Sequence, residues 1–313
     1  YDNGQNNEGR VYVYSGKYSG LAATANWNTE GAQALAEHGY TVSAAGDING
    51  DGFADVLVSA PYFDATFVDE GRVYVYLGTA AGLSTTPSSS LSPVAQANAL
   101  FGWSVSAAGD INGDGFADII IGDPYYDGSG GLVLDQGRAY IYYGSQVGLN
   151  STPLIIESDQ AGAMLGFSVA GVGDVNNDGF ADIAIGAPSY DNAFQNEGRV
   201  TVYYGSANGV SFNNAWVNDG GQAGASYGNS IATAGDVNRD GIADMIVGAY
   251  LYDNGESDEG RAMIYYGTNS GLSSTAGWTS EGNQLSAYYG YAVGTAGDVN
   301  GDGYTDLIVG ARG

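Results

Sequence analysis

GDINGDGFAD, residues Gly46 to Asp55, returns as GDINGDGFAD from Gly109, GDVNNDGFAD from Gly173, GDVNRDGIAD from Gly235 and GDVNGDGYTD from Gly297. The first Asp of each copy falls at 47, 110, 174, 236 and 298, a period of 62 to 64 residues. A fixed period of this size marks an architecture built by repetition, in which each unit leans on its neighbours to cover an apolar face.

A second block follows each copy but the last: EGRVYVYLG from Glu70, QGRAYIYYG from Gln136, EGRVTVYYG from Glu197 and EGRAMIYYG from Glu259. Its fifth copy, EGRVYVYSG from Glu8, stands at the N-terminus with no metal-type motif before it, and the C-terminal DLIVGARG has no EGR block after it. When Gly310 and Ala311 are set on Gly248 and Ala249, Gly313 matches Leu251, and Tyr1 supplies the next residue required. An integral number of units cut in mid-unit is the phase expected of a closed ring, whereas an open solenoid needs distinct capping repeats. Five blades are the simplest count, and such a ring is expected to be a monomer.

Each unit reads as four short strands. In the first unit YTVSAAG (Tyr40 to Gly46) is innermost, DVLVSA (Asp55 to Ala60) second and GRVYVYLG (Gly71 to Gly78) third, with a weaker fourth segment before the next unit. DVLVSA is almost continuously apolar, as a strand buried on both faces must be, and VYVY pairs β-branched with aromatic residues. Gly-Leu or Gly-Val pairs (Gly20-Leu21, Gly82-Leu83, Gly148-Leu149, Gly209-Val210, Gly271-Leu272) mark the turn out of the third strand. Radially arranged four-stranded sheets make a β-propeller. The expectation is an all-β single domain over 1–313, with five four-stranded blades at about 35–97, 98–161, 162–223, 224–285, and 286–313 completed by 1–34 from both chain ends.

Composition agrees. The 313 residues are 44% apolar, with 52 Gly, 25 Tyr and only 6 Pro, a mixture suited to many tight turns between short strands. Acidic residues outnumber Lys and Arg 35 to 8, for a net charge of −27, which repels nucleic acid and anionic membrane. No Cys is present, so disulfides and thiolate metal sites are excluded. No apolar run reaches the roughly 18 to 20 residues of a membrane span, and the N-terminus carries no signal peptide, so the chain reads as mature or trimmed.

The loop between the first two strands reads D-x-N-x-D-G-x-x-D in every unit. Oxygen-bearing side chains at alternate positions, followed by Gly for a sharp turn, converge on one point, and hard oxygen donors select Ca²⁺. The candidate ligands are Asp47, Asn49, Asp51 and Asp55 in the first unit, with the backbone carbonyl of Phe53. The second unit offers Asp110, Asn112, Asp114, Asp118 and the Phe116 carbonyl; the third, Asp174, Asn176, Asp178, Asp182 and the Phe180 carbonyl. The fourth has Asp236, Asn238, Asp240, Asp244 and the Ile242 carbonyl, and the fifth Asp298, Asn300, Asp302, Asp306 and the Tyr304 carbonyl. An EF-hand is ruled out, since its twelfth-position Glu is replaced by Val58, Ile121, Ile185, Val247 and Val309 inside strand-like runs. Three like charges crowded into each loop call for a cation, about five Ca²⁺ in all.

With these residues in view the chain resembles the FG-GAP repeats of integrin α subunits and related bacterial surface proteins. The name fits Phe101-Gly102, with Tyr227-Gly228 and Tyr289-Gly290 near it, and Gly186-Ala187-Pro188, with Ser59-Ala60-Pro61 close. Leu165-Gly166 and Gly122-Asp123-Pro124 depart slightly, and integrin-type propellers have seven blades where this chain holds five units. The resemblance implies calcium in the hairpin loops and a role in adhesion or protein interaction.

Other residues carry competing readings. Arg10, Arg72, Arg138, Arg199 and Arg261 occur once per unit near Tyr-Asp pairs such as Tyr62 with Asp64 or Tyr190 with Asp191, which favours repeated ion pairs over an anion-binding ring. His38, set beside Leu100, Leu165, Tyr227 and Tyr289, reads as a first-strand boundary residue. Trp27, Trp216 and Trp278 share one place in the repeat, suited to packing of the fourth strand more than to stacking on sugars. A catalytic residue should break the symmetry, and only Asp123 and Glu157 do. The expectation is a non-catalytic, calcium-stabilised extracellular or periplasmic scaffold with a protein or glycan ligand on a loop face and no membrane insertion; the alternative is a polysaccharide-active enzyme or lectin.

Overall fold

The computed structural model describes residues 1–313 except Ser19, Val94 and Ser129. Among the described residues there are strands and turns and no helix, so no helix is long and apolar enough to cross a membrane. The first elements are β1 (Arg10–Val13), β2 (Gly16–Lys17), β3 (Gly20–Leu21) and β4 (Trp27–Glu30). One complete unit follows as β5 (Val42–Gly46), β6 (Asp55–Ala60), β7 (Arg72–Tyr76) and β8 (Ser89–Leu91). The next is β9 (Ser104–Gly109), β10 (Asp118–Asp123), β11 (Arg138–Tyr142) and β12 (Leu154–Glu157). Then come β13 (Ser168–Gly173), β14 (Asp182–Ala187), β15 (Arg199–Tyr204) and β16 (Ser211–Asp219). The last complete unit is β17 (Tyr227–Gly235), β18 (Asp244–Ala249), β19 (Arg261–Tyr265) and β20 (Trp278–Glu281), and the chain ends in β21 (Tyr289–Gly297) and β22 (Asp306–Ala311).

Each complete unit is a four-stranded antiparallel meander in sequence order, as the strand reading expects. The second strands β10, β14 and β18 are buried at every residue, which accounts for their unbroken apolar runs. Successive sheets stack face to face. One apolar cluster joins Leu57 and Val73 of the first complete blade to Ile119 and Tyr140 of the second, and equivalent clusters join the second to the third and the third to the fourth. The EGR and FG signatures meet at these seams. Gly71 has φ +85°, and a Cβ on it would lie 2.2 Å from the Phe101 carbonyl oxygen, so only glycine lets the third strand start against the next unit's FG turn.

The fifth blade is present as two separate hairpins. β21 pairs with β22 and β1 pairs with β4, and among the described residues no ladder joins β22 to β1. The closing pair expected from the phase of the repeats is not made in this structure. Instead, β1 and β4 pack through Val11 and Trp27 on Val58 and Tyr76, and β21 and β22 pack through Val293 and Leu307 on Ile246 and Ile264. A further hairpin joins β2 to β3.

Candidate metal loops and the aromatic face

The five D-x-N-x-D-G loops sit where the innermost strand turns into the second, and they are built alike. In the first, the Asp51 amide donates to Asp47 Oδ1 and Asn49 Oδ1, both at 3.1 Å, the Gly52 amide to Asp47 Oδ2 at 2.8 Å, and the Phe53 amide to Asp51 Oδ1 at 3.0 Å. One amide thus brings the oxygens of positions 1 and 3 together. The same bonds recur around Asp110, Asn112 and Asp114, around Asp174, Asn176 and Asp178, around Asp236, Asn238 and Asp240, and around Asp298, Asn300 and Asp302.

The ninth-position carboxylates do structural work that sequence reasoning missed. Asp118, fully buried, accepts the Ile111 amide at 2.9 Å and, from the end of the third strand, the Gly144 amide at 2.8 Å. Asp55, Asp182 and Asp244 repeat the pattern with Gly78, Gly205 and Gly267. Each therefore ties its loop to a strand two elements away. Among the described residues Asp306 accepts only the Val299 amide, and no third strand pairs with β22. Burial pushes the carboxyls of Asp118 and Asp182 up to about 7 and that of Asp244 to about 6, against the pull of their two amides; the Asp residues at positions 1 and 5 of each loop push the same way. Position 7 is occupied by a large apolar group in every loop, and Phe116 and Phe180 lie over Gly50 and Gly113 of the preceding loops.

Calcium fits this donor set. Positions 1, 3, 5 and 9 supply only hard oxygens, three of them carboxylates that repel one another, and no nitrogen or sulfur competes. Among the described residues no three Asp, Glu or His side chains are gathered at metal-ligating spacing; the carboxylates turn to the amides of their own loops.

At the opposite end of the innermost strands the units differ from one another. Tyr40, Trp103 and Phe167 occupy the position after the FG-type glycine and form a run, with ring centroids 4.9 Å apart for Tyr40 and Trp103 and 5.6 Å for Trp103 and Phe167. Tyr62 and Tyr125 extend it at 6.2 and 5.6 Å. Tyr250 and Tyr291 form a further pair, 5.3 Å apart. Tyr40 keeps 41% of its surface exposed, and burial of the remainder, with Tyr62 and Glu37 adding to it, pushes its phenol up to about 12, so it stays a donor.

Four of the five repeat arginines are paired, but not to the Tyr-Asp acids. Arg10 pairs with Glu30 at 2.9 Å and Arg199 with Asp219 at 2.6 Å, and Arg138 and Arg261 pair with Glu157 and Glu281. Glu157 thus holds a repeated place on the fourth strand and does not break the symmetry. A spacing of 19 or 20 residues from Arg to acid was the available signal. Each guanidinium also lies over an aromatic ring, Tyr126, Tyr190 or Tyr252, and in the first complete blade that ring is Phe63, not Tyr62. The Tyr-Asp aspartates instead close their own loops; Asp64 accepts the Asp69 amide and Asp191 the Asn196 amide. Gln33, Gln96, Gln160 and Gln222, each 31 residues earlier, clasp these loops from the preceding unit.

His38 is buried edge-on to Tyr74, and burial lowers its imidazole to about 4. Its amide bonds the Glu8 carbonyl just as Phe101 bonds Glu70, so its counterpart is Phe101 and not Leu100. Trp27 and Trp216 pack on Tyr76 and Tyr265 and donate to Ser84 and Ser273 of the next unit, as the packing reading expects. Asp123 is fully buried beside Tyr140, its carboxyl raised by burial.

Comparison with known proteins matches the FG-GAP repeat model five times, at residues 38–76, 101–142, 165–203, 227–265 and 289–313. The chain belongs to the FG-GAP repeat family. Similar curated proteins include integrin alpha-6 of Gallus gallus, 34% identical over 187 residues, and integrin alpha-4 of Xenopus laevis, 35% over 195. Those alignments cover 59% and 60% of this chain but only 16% and 18% of the integrins, so the chain spans less than a fifth of either relative. A rhamnogalacturonan lyase of Bacillus licheniformis aligns over 98% of this chain and 58% of its own, at 19% identity and a TM-score of 0.41, a similarity on which no functional argument rests.

Proposed function

We propose that this FG-GAP chain is a non-catalytic extracellular binding scaffold of the adhesion type, braced by calcium at one end and presenting its aromatic end to a protein or glycan ligand. The observation that carries this reading is the contrast between ends: the loop end repeats its bonds unit by unit, while Tyr40, Trp103 and Phe167 make one aromatic run at the other, with Tyr40 exposed and Trp103 and Phe167 half-buried. Aromatic rings with Tyr hydroxyls at their margins offer flat apolar area at low entropic cost, suited to sugar faces and to protein side chains alike. Positions 1, 3, 5 and 9 of each loop, with the carbonyl of position 7, would hold one Ca²⁺ apiece, replacing repulsion among three carboxylates by attraction to a shared ion. Millimolar calcium, and hence an extracellular or periplasmic setting, suits sites of this kind. Both residues singled out as symmetry-breaking acids favour the non-catalytic reading, because Glu157 is ion-paired and Asp123 is sealed in the sheet.

The test is binding to immobilised extracellular glycoproteins and polysaccharides in calcium, comparing the native chain with W103A. A loss of at least about tenfold, the scale of an aromatic hot spot, is expected. Equal binding by W103A would remove the aromatic run from the ligand site, and turnover of a polysaccharide would support the enzymatic alternative.

A further inference from the structure

Each copy of the EGR block carries one arginine, and in four copies the paired strand of the same sheet answers it with a carboxylate. The strand registers set Glu30, Glu157, Asp219 and Glu281 directly opposite Arg10, Arg138, Arg199 and Arg261, and all four ion pairs are made. Asp219 takes the guanidinium in its fullest form, one oxygen accepting from Arg199 Nε at 2.6 Å and the other from Nη2 at 3.0 Å. Two-pronged contact of this kind is what the planar arginine fork offers a carboxylate.

The first complete blade breaks the pattern. Val73 pairs with Leu91, so Ser92 falls opposite Arg72, where the other blades have Glu or Asp. The Ser92 hydroxyl turns away from the guanidinium, to Glu70 Oε1 at 3.1 Å and the Gly71 carbonyl at 2.9 Å. Glu70 is occupied as well, its other oxygen accepting the Thr66 and Phe67 amides. Among the described residues no carboxylate pairs with Arg72, and its Nε is buried with no hydrogen-bond partner. The pose of the side chain is nevertheless that of its counterparts. Arg72 Cζ lies 3.9 Å from the centroid of Phe63, as those of Arg138, Arg199 and Arg261 lie 3.5, 3.9 and 3.7 Å from Tyr126, Tyr190 and Tyr252. A half-buried guanidinium, held by a ring and short of acceptors, gains more from a carboxylate than a fully hydrated one does.

We propose that Arg72 is the anchor for an acidic side chain of a protein ligand, an Asp or Glu of the partner taking the place that Glu157, Asp219 and Glu281 fill in the other blades. The anchor rests on the binding role proposed for the aromatic end and extends it. Phe63 follows Tyr62, whose ring lies against Tyr40, and Gly71 abuts Phe101, two residues before Trp103, so Arg72 borders the aromatic run. A net charge of −27 repels a polyanion, and one acid flanked by apolar surface is the complement of a single open arginine beside aromatic rings.

The test is selection of a random-peptide phage library on the full native chain in calcium, followed by affinity measurement of the selected peptides on four variants. Peptides carrying an Asp or Glu beside an aromatic or apolar residue are expected, and Arg72→Ala should weaken them at least about tenfold. Ser92→Glu restores the acid of the other blades, keeps the fold and should weaken them as much. Ser90→Glu adds the same charge on the exposed face of β8 and should leave binding unchanged. Loss on Trp103→Ala with full binding on Arg72→Ala and Ser92→Glu would overturn the anchor and leave the scaffold reading standing; loss on Arg72→Ala and Ser92→Glu but not on Trp103→Ala would support the anchor and count against the aromatic run. Selection of peptides without acidic residues, or of none, equal weakening by Ser90→Glu, or Arg72-dependent binding of a uronic-acid polysaccharide in place of peptides would also overturn it.

Discussion

The two ends of the innermost strands are made from the same repeat and obey different rules. At the loop end Asp47, Asp110, Asp174, Asp236 and Asp298 each hold the same two amides of their loops, to within a tenth of an ångström at the Gly amide. At the other end the equivalent position is Tyr40, Trp103, Phe167, Asn229 and Tyr291. Uniformity follows where one unit must fit the next, and variation is tolerated where only a ligand has to fit. Repetition in this molecule therefore marks the parts that hold it together.

Five substitutions would break or sharpen that contrast. Asp118→Ala strips acceptors from two buried amides, Ile111 and Gly144, and should cost about 2 to 6 kcal/mol in urea unfolding; Asp306→Ala, at an exposed loop with one amide bond, should cost clearly less. Comparable losses would mean that the tie to the third strand contributes little.

The next effect is a pH dependence. The folded chain holds His38 down at about 4 while the unfolded chain titrates it near its ordinary value of 6.5, so protons bind the unfolded state first. Stability from this group is complete above 6.5 and declines as pH falls from there to about 4, by roughly 3 kcal/mol in total. His38→Phe, which installs the residue found at Phe101, should remove that slope; an unchanged profile would place the acid sensitivity elsewhere.

Arg199→Ala breaks a half-exposed pair with Asp219 and a stacking contact on Tyr190, for a loss of about 1 kcal/mol by calorimetry. Trp103→Ala, at the variable end, removes ring contacts with Tyr40, Tyr125 and Phe167 but no bond that the repeat shares, and should reduce ligand binding most; unchanged binding would take the aromatic run out of the ligand site.

Much of this was legible in the sequence because the repeat supplies its own alignment. Five copies of GDxNxDG located the loops, and the apolar runs after them located the buried second strands almost to the residue, as with Asp55 to Ala60. Contacts between units were harder to read. The pairing of Arg199 with Asp219 and the clasp of Gln222 on the Asp253 loop join residues 20 and 31 apart, distances with no local periodicity to reveal them. The double role of Asp118 was hidden because a carboxylate placed for a metal and one placed for buried amides look alike until the neighbouring strand is in position. Closure depends on the angle between sheets, a quantity that the spacing of motifs does not carry.

The most direct measurement is thermal unfolding of the chain in millimolar calcium and in chelator, with bound calcium counted in the same samples. Sites filled at about ten times their dissociation constant stabilise by roughly 1.4 kcal/mol each, so a midpoint raised by many degrees, with up to five calcium ions per chain, is expected. Equal midpoints with no calcium retained would contradict the role assigned to the loops.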